Sequence, residues 1–271
     1  MPRAWLGETG TTWTCHCRWG LRPSKRGETP PHGTAVDDGD NAHHETGTEQ
    51  GVDRRHTYAG QADDLIATAR GVDSMYVEWR RSHRTGMRKT QEDINDRYAQ
   101  SGVTRAYVSN VVPGFFQTPA YATALMEAIT DFQGTPNDIS EAVAARVARS
   151  RFLYEGGHRF VVLMEECVLR YRVGDAETMA GQLRHLLTVM PLPSVSLGVI
   201  PFTAQRTMWP LEAFYLHDGT RSVVETLTAE VNVVQPRELA DYRKAFGELT
   251  KMAVHGNAAR ALIESAITSL G

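Results

Sequence analysis

An α+β fold is predicted for residues 62–271, mixing helices with a small sheet. Three observations carry this. Helical apolar spacing and short extended apolar runs both recur, yet they do not alternate strictly, which disfavours a doubly wound sheet. Several helices open on capping residues, such as Thr118 before Pro119 and Asp175 before Ala176. Residues 1–60 show neither pattern: nine glycines and nine threonines stand beside only Met1, Leu6, Leu21, Val36 and Val52 as aliphatic residues. That composition predicts an irregular or disordered segment with no packed core of its own.

Residues 62–101 read as connector helices. Leu65, Ala69, Val72, Tyr76 and Trp79 form one apolar stripe, and Met87, Ile94 and Tyr98 extend it beyond a break near Gly86. A strand over about 105–112 leads to Pro113-Gly114, an order expected of a type II turn with positive φ at the glycine. The helix from Pro119 carries Tyr121, Leu125, Met126 and Ile129 at helical spacing. Thr135-Pro136 is expected to cap the next helix, with Ile139, Val143, Val147 and Tyr154 inward. Arg159–Met164 reads as a buried strand. A helix from Asp175 bears Met179, Leu183, Leu186, Leu187 and Met190. Strands are expected at Val195–Phe202, Glu212–His217 and Ser222–Ala229, with His217–Thr220 as a hairpin-like turn. Two helices close the chain, one from Pro236 with Leu239, Tyr242, Phe246 and Leu249, the other with Leu262, Ile263, Ile267 and Leu270.

The 271 residues are 41% hydrophobic and 23% charged, with a formal net charge of −3. That balance suits a globular protein and argues against one held on nucleic acid by charge alone. Three cysteines make no disulfide framework, so a reducing cytoplasm is the expected location. No apolar run has membrane-spanning length.

The string from Tyr107 to Ala122 also resembles the Val-Pro-Gly-Leu-Leu-Gln-Thr-x-x-Tyr-Ala signature of an actinobacterial domain. That domain follows an XRE-type helix-turn-helix in transcriptional regulators, some of them antitoxin-like. Phe115 and Phe116 stand where the pattern has two leucines. Further matches fall in order: Tyr76–Arg81 with Arg84, Gly86 and Gln91; Arg146-Val-Ala-Arg149; Glu165; Gln182-Leu183; Val199–Phe202; Glu225–Leu227; and Tyr242–Phe246. Together they cover about 62–271. The resemblance implies a regulatory or interaction domain over 102–271 and a homodimer whose operator DNA is read by an N-terminal domain. The first sixty residues lack that reader's pattern, apart from Arg26–Pro31. Either the DNA-reading domain is lost, or the frame over these codons differs from the natural one, with Met75 an internal start. An antitoxin-like module that sequesters a small partner protein is the rival reading, and an enzyme reusing the fold is a weaker one.

Candidate site residues follow. Gln117, Thr118 and Tyr121 sit at a strand-to-helix junction and are expected either to line a small-molecule pocket or to serve only capping and packing. Glu165 occupies a position where the family pattern also has Glu, which suits a ligand contact or a buried hydrogen bond. Its neighbour Glu166 points to the opposite face of a strand, so the two carboxylates do not form one acid/base pair. Arg80, Arg81, Arg84 and Arg88 are candidates for phosphate contact, against a solvated face partly neutralised by Glu92, Asp93 and Asp96. Cys15-His16-Cys17 lacks zinc-knuckle spacing, so no metal or other cofactor is expected. No nucleophile elbow, phosphate loop or dinucleotide fingerprint is present, and no enzymatic activity is expected.

Overall fold

The computed structural model describes residues 75–271. The expectations for residues 1–60, for Cys15-His16-Cys17 and for the start of the apolar stripe at Leu65–Val72 lie outside the described residues. Eight helices and one eight-stranded mixed sheet make up the remainder, an α+β fold. The strands are β1 (Tyr76–Glu78), β2 (Val103–Val108), β3 (Arg159–Glu165), β4 (Val195–Ile200), β5 (Phe214–His217), β6 (Arg221–Glu225), β7 (Ala229–Val233) and β8 (Val254–His255). The helices are α1 (Trp79–Ser82), α2 (Arg88–Ala99), α3 (Pro119–Gln133), α4 (Ile139–Val147), α5 (Glu166–Arg170), α6 (Ala176–Val189), α7 (Pro236–Met252) and α8 (Gly256–Thr268).

The sheet is larger than the small one expected. Its order is β1-β7-β6-β5-β2-β3-β4-β8, parallel across β2-β3-β4 and antiparallel elsewhere. β3 lies between two parallel neighbours and is buried over its last four residues, which explains its continuous apolar run. Alternation then sorts side chains to two faces. Ala106, Val108, Val162 and Met164 join Tyr121, Leu183, Leu186 and Ile263 in the larger core. Tyr107, Leu163, Phe214 and Leu216 meet Leu239, Phe246 and Leu249 of α7 on the other face. Met87, Ala122, Met126, Ala142 and Val143 form a third cluster, joining α3 and α4 at the head of α2.

Several boundaries differ from the sequence reading, each for a local reason. Tyr76–Glu78 is a strand rather than part of a helix, because its backbone pairs with Ala229–Val231 at the sheet edge. The strand expected over 105–112 ends at Val108; Ser109 then donates to the Leu211 carbonyl at 2.8 Å, and Val112 N–H to the Tyr121 hydroxyl at 3.3 Å. Helix α4 starts at Ile139, beyond the Thr135-Pro136 pair. Asp138 precedes it, but its carboxylate turns to the N–H groups of Met87 and Arg88, each at 2.8 Å, and so caps α2 instead. Gly86 makes room for that carboxylate and holds φ at 109°, where a side chain would be strained. Tyr154 faces solvent rather than the core.

The expected strand Ser222–Ala229 is two strands, β6 and β7, folded about Thr226–Thr228. This turn is closed by Thr226 N–H on the Ala229 carbonyl at 2.8 Å, with the Thr226 hydroxyl donating to the same oxygen at 2.9 Å. It contains none of the Gly, Pro or Asn residues that mark turns in a sequence. The His217–Thr220 turn does have that mark, with Asp218 and Gly219 left-handed at φ 50° and 71°. Among the described residues no helix is long and apolar enough to cross a membrane.

Candidate functional site

The junction before α3 is built from short polar bridges. Thr118 caps α3, its hydroxyl accepting from Tyr121 N–H at 3.3 Å, and Pro119 fills the first helical position. Gln182, fully buried on α6, donates to the Phe116 carbonyl at 2.7 Å and accepts from Thr118 N–H at 2.8 Å. The Pro113-Gly114 turn differs from the type II form. The tight turn runs from the Pro113 carbonyl to Phe116 N–H at 2.8 Å, so Gly114 is its first central residue and is not left-handed. Glycine is needed there for another reason: a Cβ would lie 2.7 Å from Nη1 of Arg149.

That arginine lies in the short 3-10 helix Ala148–Leu153 that continues α4, and it belongs to a polar seam between α2 and these two helices. Gln91 and Asn95 lie one turn apart on α2, facing Arg146 and Arg149. Arg149 Nε donates to Asn95 Oδ1 at 2.9 Å, and its Nη2 to Gln91 Oε1 at 3.0 Å. Arg146 Nε reaches the same Gln91 oxygen at 3.1 Å, and its Nη1 the Gln117 Oε1 at 3.0 Å. Gln117 is itself fixed by donating to the Val112 carbonyl at 2.7 Å. All of these acceptors are neutral, and among the described residues neither guanidinium forms an ion pair with a carboxylate. Arg149 is only 4% exposed, and burial lowers its pKa to about 10, so it keeps its proton at neutral pH. Burial lowers the Arg146 pKa as well.

The two guanidiniums border a cleft of about 30 Å³, together with Tyr98, Gln117, Tyr215 and Glu225. Tyr98 lies beneath Arg149, its ring centre 5.4 Å from the guanidinium carbon. Burial raises the Glu225 pKa against the opposing pull of Arg146. The cleft shares Ile94, Val111, Arg146 and Glu225 with an open groove of about 420 Å³. Exposed Phe132 and Leu227 stand on that groove's rim.

His217 also borders the cleft, buried beside Ser101 and against the edge of Tyr98. Burial first, then the charges of Arg97 and Arg221, depress its pKa from 6.5 to about 4. Between these values the unfolded chain takes up a proton that the folded one refuses, so stability falls as pH drops through that window. The expected loss is up to about 1.4 kcal/mol per pH unit. Urea unfolding at pH 7 and pH 5 measures it, and His217→Asn should flatten the dependence. An unchanged slope in that variant would assign the effect to other groups.

The residues singled out in the sequence are not all brought together. Gln117 lines the cleft, whereas the capping Thr118 and the buried Tyr121 are engaged in the junction itself. Glu165 lies on the opposite face of the sheet, accepting from the Tyr107 hydroxyl at 2.8 Å and from both terminal nitrogens of Arg206. Glu166 turns away from it to Arg170 and to Phe202 N–H. Arg80, Arg81 and Arg84 are exposed on α1 and just after it, and Arg88 pairs with Glu92 at 2.7 Å. The sequence reading noted Gln91 and Arg146-Val-Ala-Arg149 only for resemblance. Arg146 at the end of α4 and Arg149 in the short 3-10 helix Ala148–Leu153 that follows it, next to the buried Ala142 and Val143, are the sequence signal of a cationic site there.

Fold and site define a mixed α+β domain with a buried cationic cleft opening into an apolar groove. The chain belongs to the DUF5753 family, a domain of unknown function, whose profile matches residues 91–265. No curated protein matches the chain. Among solved structures it is similar to TrmBL2, an archaeal chromatin protein described as showing a novel mode of DNA binding. The TM-score is 0.33 at 10% identity, over 75% of this chain and 66% of that one, just under two thirds of its length. A likeness of that size carries no argument.

Proposed function

We propose that the chain is a transcription regulator of the helix-turn-helix (XRE) kind, or the regulatory domain of one, and that residues 75–271 receive its signal. The observation that carries this reading is the pair Arg146 and Arg149, held side by side by neutral acceptors at the end of an open groove. Two guanidiniums share a single nearby carboxylate, Glu225, and buried charge left in excess is costly, so such a pair suits a site whose partner arrives from outside. The resemblance of Tyr107–Ala122 to the regulators' C-terminal domain supports the same assignment. In this reading the complete regulator is a dimer on operator DNA, and Arg80, Arg81 and Arg84 add phosphate contacts; no catalysis is assigned. A second reading, an antitoxin-like module for a small partner protein, is favoured by Phe132 and Leu227, which are 71% and 72% exposed on the groove rim.

The test is a reporter driven by the gene's own promoter region, with the full chain supplied as wild type, Arg149→Met or Leu227→Asp. Both variants should shift reporter output several-fold at unchanged protein level. Leu227 is exposed, so its variant guards against loss of fold. Output that ignores both substitutions would overturn the regulatory reading, and co-purification of one stoichiometric small protein, lost in Leu227→Asp, would favour the second.

A further inference from the structure

We infer that the cleft and groove together bind an apolar monocarboxylic acid, with its carboxylate between Arg146 and Arg149 and its body along the groove. This rests on the reading of the domain as signal-receiving and adds the chemistry of what it receives.

The head group follows from charge and hydrogen bonding. Arg149 has Nε and Nη2 committed to Asn95 and Gln91, and Arg146 has Nε and Nη1 committed to Gln91 and Gln117. One terminal nitrogen of each, Arg149 Nη1 and Arg146 Nη2, makes no hydrogen bond among the described residues, so donors remain at the cleft. Paired guanidinium donors match the two oxygens of a carboxylate. Glu225 borders the same cleft. When ionised it leaves one net positive charge and opposes a dianion; when protonated it can donate to a carboxylate oxygen.

The body follows from the groove. Its walls include Met87, Ile94, Leu125, Ile129, Phe132 and Leu227, and its volume of about 420 Å³ lies in the range that holds small ligands. Because it meets the cleft at Ile94, Val111, Arg146 and Glu225, one molecule can occupy both. An acid without an apolar body would leave these walls wet, and an apolar molecule without an acid would leave the net positive charge of the cleft unmatched.

Titration calorimetry on the full chain tests this with four probes below their micelle concentrations: decanoate, decanol, acetate and decyl phosphate. Decanoate should bind, with decanol and acetate each weaker by about tenfold or more. Arg149→Met should weaken decanoate by a similar factor and leave decanol unchanged, while Leu227→Asp, on the surface, should weaken decanoate and spare acetate. Equal affinity for decanol and decanoate would overturn the head-group assignment, as would tighter binding of decyl phosphate. No heat from any probe would overturn the proposal altogether. In that event a reporter that still responds to Arg149→Met keeps the signal-receiving domain and removes only the acid, whereas a silent reporter removes both.

Discussion

Tyr121→Ala is expected to destabilise the domain by about 3–5 kcal/mol, far more than the roughly 1 kcal/mol expected of Thr118→Ala. The Tyr121 ring is 1% exposed within the larger core, so truncation empties a space the size of an aromatic side chain. It also removes the acceptor of the Val112 N–H, a buried donor then left without that partner. Thr118 loses less, since only its cap on Tyr121 N–H goes, while its backbone N–H stays on Gln182. Urea denaturation of both variants gives the comparison. Equal midpoints for the two would mean the ring adds nothing beyond the cap. Unchanged midpoints with loss of reporter control would instead make the junction a binding surface.

The second large effect lies at Gly114, where even alanine should cost about 3 kcal/mol. Its Cβ would approach Arg149 Nη1 to 2.7 Å and push a buried guanidinium off its bonds to Gln91 and Asn95. A double-mutant cycle separates this from backbone strain. In an Arg149→Met background, with a slimmer side chain beneath, the cost of Gly114→Ala should shrink by more than half. A penalty that is the same in both backgrounds would mean that backbone conformation, not the approach of Arg149, demands the glycine.

The α+β class and most long elements were legible in the sequence because they rest on local signals. Thr118 and Asp175 announce their helices, and the apolar stripe on α7 names its buried face. What was not legible depended on partners distant in sequence. Tyr76–Glu78 becomes a strand only because β7 is beside it, and β7 was missed because its turn is built from threonines. Asp138 would cap its own helix by local rules, yet it is recruited fifty residues back to α2. The cleft was hidden for the same reason. Gln117 could be named from its position at a strand-to-helix junction, but Gln91, Asn95, Arg146 and Arg149 become one site only when α2 lies beside α4 and the 3-10 helix that follows it. For Glu165 both a ligand contact and a buried hydrogen bond were expected from the sequence; the structure shows the hydrogen bond from Tyr107, on a sheet face set by strand register, which resemblance alone does not give.

The connectivity of β2 has a consequence for how the protein is made. One side of this strand pairs with β3, but the other pairs with β5, where Thr104 meets His217 across a separation of 113 residues. At ribosomal speeds of about 5–20 residues per second, that distance corresponds to a delay of roughly 6–23 s. Once β3 has followed, about halfway through it, β2 can be covered on that side while its second edge still offers unpaired N–H and C=O groups to any neighbouring nascent chain. Such long-range closure also makes the final pairing slow compared with helix formation. Synthesis halted between β4 and β5 would therefore release a species whose middle strand is an open edge, and aggregation of stalled chains, rather than of finished ones, is the hazard built into this order of strands.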